Sequence, residues 1–121
     1  MANFKKAILI DANFEYSTMN NVELTEANLV NSNLKGAKLW GANFVGARLQ
    51  NANLEEADLW GANFDNADMR CVNLKQTILF EANLGRADLE GADLSGAKYN
   101  DYTIWPAEFD FSSTNAIYVK W

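Results

Sequence analysis

Large apolar residues recur at every fifth position along this chain: Phe4, Leu9, Phe14, Met19, Leu24, Leu29, Leu34, Leu39, Phe44, Leu49, Leu54, Leu59, Phe64, Met69, Leu74, Leu79, Leu84, Leu89, Leu94 and Tyr99. Two residues before each stands a small one, nearly always Ala, with Ser17, Val22, Ser32, Val72 and Thr77 as the replacements. The middle of the chain shows the unit plainly, as in Ala37-Lys38-Leu39-Trp40-Gly41 and Ala52-Asn53-Leu54-Glu55-Glu56. A period of five matches neither the 3.6-residue turn of an α-helix nor the two-residue alternation of a strand, so the chain must turn every five residues. If the large and the small residue both point inward, four such sides close a square coil. Stacked coils then satisfy one another's backbone groups at strand spacing, ~4.8 Å. Gly36, Gly41, Gly46, Gly61, Gly91 and Gly96 sit at the fifth position, where a corner would need positive φ.

These tandem Ala-(Asn/Asp)-(Leu/Phe)-x-x units, running unbroken from about Ala2 to Asp101, resemble the pentapeptide-repeat family. The resemblance implies an all-β fold, a right-handed quadrilateral β-helix with twenty residues per coil. It divides the chain into a β-helix over residues 1–101, about five coils and ~24 Å tall at strand spacing, and a capping tail over 102–121. In the tail Ile104 and Phe109 keep the phase, but Tyr102 is too large for the small column and Pro106 removes a backbone donor, so regular coiling should stop there. Ser112 to Ala116 read as the start of a short helical turn. The apolar segment Ile117-Tyr118-Val119-Lys120-Trp121 reads as a plug over the last coil, whereas the amino end shows no comparable cap.

Residues twenty apart stack, so outward positions sort into columns on four faces. Asn3, Glu23, Asn43, Asn63, Asn83 on the first face and Asn13, Asn33, Asn53, Asn73, Asp93 on the third suggest side-chain amide ladders along the axis. Glu15, Lys35, Glu55 and Lys75 alternate in sign and suggest an ion-pair ladder; Lys38 above Asp58 is a shorter one. The fourth face differs from the rest. Trp40, Trp60 and Phe80 follow one another in a single outward column, with Ile78 two residues from Phe80. Two readings stay open for these four residues: a self-stabilising aromatic ladder, or an interface for a protein partner.

Charge and chemistry narrow the function further. There are 16 acidic and 10 basic residues, no His, and a net charge of −6, which disfavours direct nucleic-acid binding. The lone Cys71 excludes an intrachain disulfide; beside Arg70 it is either a reactive thiol or a tolerated surface residue. No signal-peptide pattern and no apolar stretch of membrane-spanning length is present, so the expected location is the cytoplasm, without membrane contact. Without His, a nucleophile elbow, a phosphate-cradling loop or a paired-carboxylate cleft, neither an enzyme nor a cofactor or metal site is expected. The expectation is a non-enzymatic protein-interaction or scaffold module that binds an unidentified protein or itself. The alternative comes from the resemblance: some pentapeptide-repeat proteins are DNA mimics that bind a topoisomerase such as DNA gyrase. The outward charges, however, sum to about 0, −2, −2 and −1 on the four faces and −1 in the tail, which gives no dominant acidic stripe.

Overall fold

The computed structural model describes residues 2–120, apart from the side chain of Phe111. The chain winds as a right-handed quadrilateral β-helix of five coils. Parallel bridges join residues twenty apart throughout, from Asn3 with Glu23 to Ile78 with Lys98. Each side of the square contributes one bridging residue before the next turn, too short a run to extend as a conventional strand. The bridges are nonetheless complete. Leu54 N–H donates to the Asn73 carbonyl of the coil above at 2.8 Å, and Asn73 N–H donates to the Ala52 carbonyl at 2.9 Å. Repeating this exchange up the rod pairs the backbone groups that the hydrophobic interior would otherwise strand without partners.

The corners follow one recipe. After the central residue the chain closes a turn, for example Ala57 N–H to the Leu54 carbonyl at 3.0 Å, with positive φ at the second turn residue in every coil corner up to Gly96 except the one at Gly85-Arg86. Six glycines supply it, as expected, but so do Lys6, Tyr16, Glu56, Cys71 and other side-chain-bearing residues, with φ near 60°. Such residues adopt this region at a cost of about 1–2 kcal/mol each. The N–H of the same residue recovers part of it by reaching the coil above, as Cys71 does to the Glu90 carbonyl at 2.8 Å. Glycine matters for a different reason at Gly36, where a Cβ would lie 2.3 Å from the ring of Tyr16 in the coil below.

Among the described residues the Asn columns form no continuous axial amide ladder, although Asn43 Nδ2 donates to Glu23 Oε2 in the coil below at 3.5 Å. Their oxygens turn inward on their own corners: Asn53 Oδ1 accepts the Glu55 N–H at 3.0 Å, and Asn13, Asn33, Asn43, Asn63 and Asn73 do the same two residues ahead. This local bond wins because it serves a backbone N–H that the coil stacking leaves unused. The Glu15, Lys35, Glu55, Lys75 ladder is likewise not formed among the described residues, and neither is the pair Lys38 and Asp58. Lys75 instead reaches Asp93 at 3.8 Å and Glu15 accepts from Asn33 at 3.3 Å. Exposed ammonium groups gain too little from one neighbour to be held in a fixed stack.

The interior is a column of central Leu, Phe and Met side chains with the small column beside it, fully buried from Leu24 to Leu84. Phe44 and Phe64 lie face to face, 4.7 Å between centroids and 8° between planes. At the lower end Phe4, Leu9, Phe14 and Met19 are only partly covered.

The tail departs from the expected phase. Ile104, expected at a central position, bridges Asn83, twenty-one residues below, and is more than half exposed. Thr103 takes the inward small position and Trp105 packs toward the core. The cause is Tyr102, which cannot enter the small column and swings into solvent, so the corner absorbs one extra residue. Asn100 holds that enlarged corner: buried, its Oδ1 accepts the N–H groups of Tyr102 and Glu81 at 3.1 and 3.2 Å. A 3₁₀ turn spans Phe111–Ser113. Strand β1 (Lys98–Tyr99) then pairs in parallel with β2 (Ile117–Tyr118), nineteen residues on. Among the described residues a sixth layer thus exists on the first and fourth faces alone. Over the core, Tyr99 and Trp105 meet edge to face at 5.3 Å, and Trp105 stacks on Phe109 at 5.4 Å. Trp121, the last residue of the expected plug, lies outside the described residues.

Candidate functional site

The fourth face carries the aromatic column. Trp40 and Trp60 occupy the first turn residue of successive coils, a corner position between the buried Leu39 or Leu59 and the turn glycine Gly41 or Gly61, and both side chains point outward. Their backbones are held differently. Asp58 Oδ1 accepts the Trp60 N–H at 3.2 Å, but Lys38 offers no acceptor, and Trp40 N–H turns to Oδ1 of Asn20 in the coil below at 3.0 Å. Trp40 is 50% and Trp60 37% exposed, whereas Phe80 is half-buried.

The three rings do not form a uniform stack. Trp60 and Phe80 meet edge to face, 5.3 Å between centroids, while Trp40 stands off from Trp60. Between the two indoles opens a shallow cleft of about 340 Å³ lined by Trp40, Asp58 and Trp60. Ile78 bridges Asp58 and Lys98 in the adjacent column and is half-buried. The structure therefore brings Trp60 and Phe80 together, leaves Ile78 in the adjacent column and places Trp40 across a cleft from Trp60.

The strongest electrostatic contacts lie on other faces. Arg86 forks onto Asp65 at 2.9 and 2.5 Å, and Arg70 onto Asp68 at 2.9 and 2.7 Å. In each case the guanidinium hydrogen bonds hold the carboxyl below its ordinary range. Cys71 is exposed beside Arg70. Among the described residues no group of His, Cys, Asp and Glu is arranged to hold a metal ion, and no helix is long and apolar enough to cross a membrane. The sequence reading missed Asn20 and Asp58 as anchors of the Trp40 and Trp60 backbones. The signal was present: a Trp two residues after an acid, and a Trp two residues after a Lys that cannot serve.

Corners every five residues, coils every twenty and a solid side-chain core define a β-solenoid repeat protein. The chain belongs to the pentapeptide-repeat family, whose profile matches it in eight copies over residues 2–41, 42–79 and 61–96. No curated protein sequence matches it. Among solved structures it is similar to a pentapeptide repeat protein of the Arabidopsis thaliana thylakoid lumen, with 36% identity over 83% of this chain and 63% of that one and a TM-score of 0.62. It is also similar to HetL, a pentapeptide repeat protein involved in heterocyst differentiation regulation in Nostoc, with 29% identity over 96% of this chain and 61% of that one and a TM-score of 0.47. QnrB1, a plasmid-mediated fluoroquinolone resistance protein, shares the fold at 17% identity over 88% of this chain and 52% of its own, with a TM-score of 0.69. The chain thus spans less than two thirds of each of these relatives.

Proposed function

We propose that this chain is a non-enzymatic interaction module that binds another protein through the fourth face, with Trp40, Trp60, Phe80 and Ile78 as contact residues. The observation that carries the reading is the pair of exposed indoles flanking Asp58 across one cleft. The indole surface still exposed, half of Trp40 and over a third of Trp60, favours burial against a partner, and Trp is the residue type that most often anchors one. Rigidity supports the same role: a solid stacked core presents its faces without an ordering cost on binding.

Affinity capture from the native host with wild type and with Trp40→Ser/Trp60→Ser tests the reading. Specific proteins retained by wild type and lost by the double variant support it. Identical retention by a folded double variant overturns it. Sedimentation of both forms in parallel distinguishes a foreign partner from a second copy. Lys38, Glu81 and Lys98 surround the column and would set the register of either contact through opposite-sign pairing.

Topoisomerase binding by DNA mimicry has weaker support. The likeness to QnrB1 at 17% identity is one of fold, and the acidic residues are spread over all faces and partly neutralised by Arg70 and Arg86.

A further inference from the structure

The sixth layer is interrupted on the second face, and its absence there leaves a strand edge open. One coil lower the edge is fully used: the Ala67 carbonyl accepts from Asp88 N–H at 3.0 Å, Met69 N–H donates to the Asp88 carbonyl at 2.9 Å, and Cys71 N–H to the Glu90 carbonyl at 2.8 Å. The equivalent groups of the fifth coil are the Ala87 carbonyl, Leu89 N–H and Gly91 N–H. None of the three has a hydrogen-bond partner among the described residues, because the tail leaves the edge at Pro106 and returns only where Gly96 N–H donates to the Asn115 carbonyl at 2.9 Å. Between that edge and the tail runs a groove of about 420 Å³, walled on the far side by Pro106, Ala107, Phe109 and Asp110.

We infer that this groove receives an extended, basic peptide segment of a partner protein, which adds to the open edge as the missing strand of the sixth layer. Three observations converge on that occupant. The free groups have the spacing and polarity that hold a parallel strand everywhere else in the rod, so an extended backbone is the complementary ligand. Leu89 is only 6% exposed and lines the groove, so a peptide carbonyl that pairs with its amide makes a bond largely shielded from water. The rims are acidic, with Asp88 and Glu90 on the coil side and Asp110 on the tail side. Asp110 accepts both the N–H and the hydroxyl of Ser112, which keeps its carboxyl below the ordinary range and charged at neutral pH. The opposing cation, Arg70, is engaged by Asp68 at 2.7 Å and reaches Asp88 only at 3.9 Å. An acidic trough repels nucleic acid and selects Lys and Arg side chains. The site lies on a different face from the tryptophan column and does not depend on it.

The test is selection of a displayed random nine-residue library on wild-type protein, followed by amide NMR with the enriched peptide. The expected winners carry two or more Lys or Arg and no Pro in the bound core. They shift the Leu89 and Gly91 amides and slow their exchange by at least about tenfold, while Met69 and Cys71 amides, already bonded, change little. Glu90→Lys, at an exposed position, should weaken binding about tenfold with folding intact, and N-methylation of the peptide backbone should abolish it. A library that yields no basic peptide, or winners that leave Leu89 and Gly91 unperturbed, bind Glu90→Lys equally well, or tolerate N-methylation, would overturn the inference. Winners that map to Trp40 and Trp60 instead would overturn it while supporting the fourth-face reading.

Discussion

Ser17, Ser32 and Thr77 occupy the same inward small position, and the three hydroxyls fare differently. Ser17 Oγ donates to the Phe14 carbonyl at 2.7 Å and Thr77 Oγ1 to the Leu74 carbonyl at 2.9 Å, while the buried Ser32 Oγ has no partner among the described residues. A buried hydroxyl without a bond carries a desolvation cost, so Ser32→Ala should raise stability by about 1 kcal/mol, whereas Thr77→Ala should lower it. Denaturant melts of the two variants check the opposed signs. Leu54, fully buried at mid-rod between stacked neighbours, tests the packing of the large column. Leu54→Ala should cost about 2–5 kcal/mol, since coils fixed by their own hydrogen bonds cannot close around the void. A loss under about 1 kcal/mol would mean that the rod relaxes more than its bonding suggests.

At the level of the coil, corner bonds and surface carboxylates set the pH response. Hydrogen bonds from Thr25 lower the pKa of Glu23, those from Arg70 that of Asp68, and those from Ser95 that of Asp93. A lowered carboxyl pKa means the unfolded chain takes up its proton first. The stabilisation is therefore complete above the ordinary values of 4.5 for Glu and 3.8 for Asp and is lost as pH falls through the lowered ones. With no His in the chain, the melting temperature should be flat from about pH 5 to 8 and fall below about pH 4. Thermal scans across that range decide it, and a step near pH 6.5 would contradict it. The five-residue pattern made the coil legible in the sequence because burial admits one large and one small residue per side and nothing else. The use of the Asn residues was not legible, since an amide that can stack on its neighbour can equally cap its own turn; only the direction of Asn53 Oδ1 separates the two. The slip at Ile104 was hidden for a similar reason: an apolar residue in phase looks inward until Tyr102, two residues before it, is seen to be unable to fit. Of the candidate site, the column of Trp40, Trp60 and Phe80 followed from counting twenty, but the edge-to-face contact and the cleft depend on side-chain rotamers, which a period does not specify.

For the rod as a whole, the distribution of charge and of open surface decides what it can meet. With the acidic residues dispersed and two of the five Arg and Lys contacts forming tight forks, the protein should leave gyrase supercoiling unaffected at micromolar concentration; salt-sensitive inhibition would restore the DNA-mimic reading. A column whose layers repeat every twenty residues has, in itself, no instruction about when to stop, because the upper rim of each layer is a mould for the next, whichever molecule supplies it. The enlarged corner at Asn100 provides that instruction. It lengthens the coil by one residue before Ile104, after which the tail leaves the rim, so that the last layer stands on part of the square while Trp105 and Phe109 pack over the core, and another rod arriving end-on finds no complete rim to extend. The corner is then a chain terminator in the polymer chemist's sense. A protein cut back to residues 2–101 should grow lengthwise in a concentration-dependent way that light scattering can follow, and the full chain under the same conditions should not.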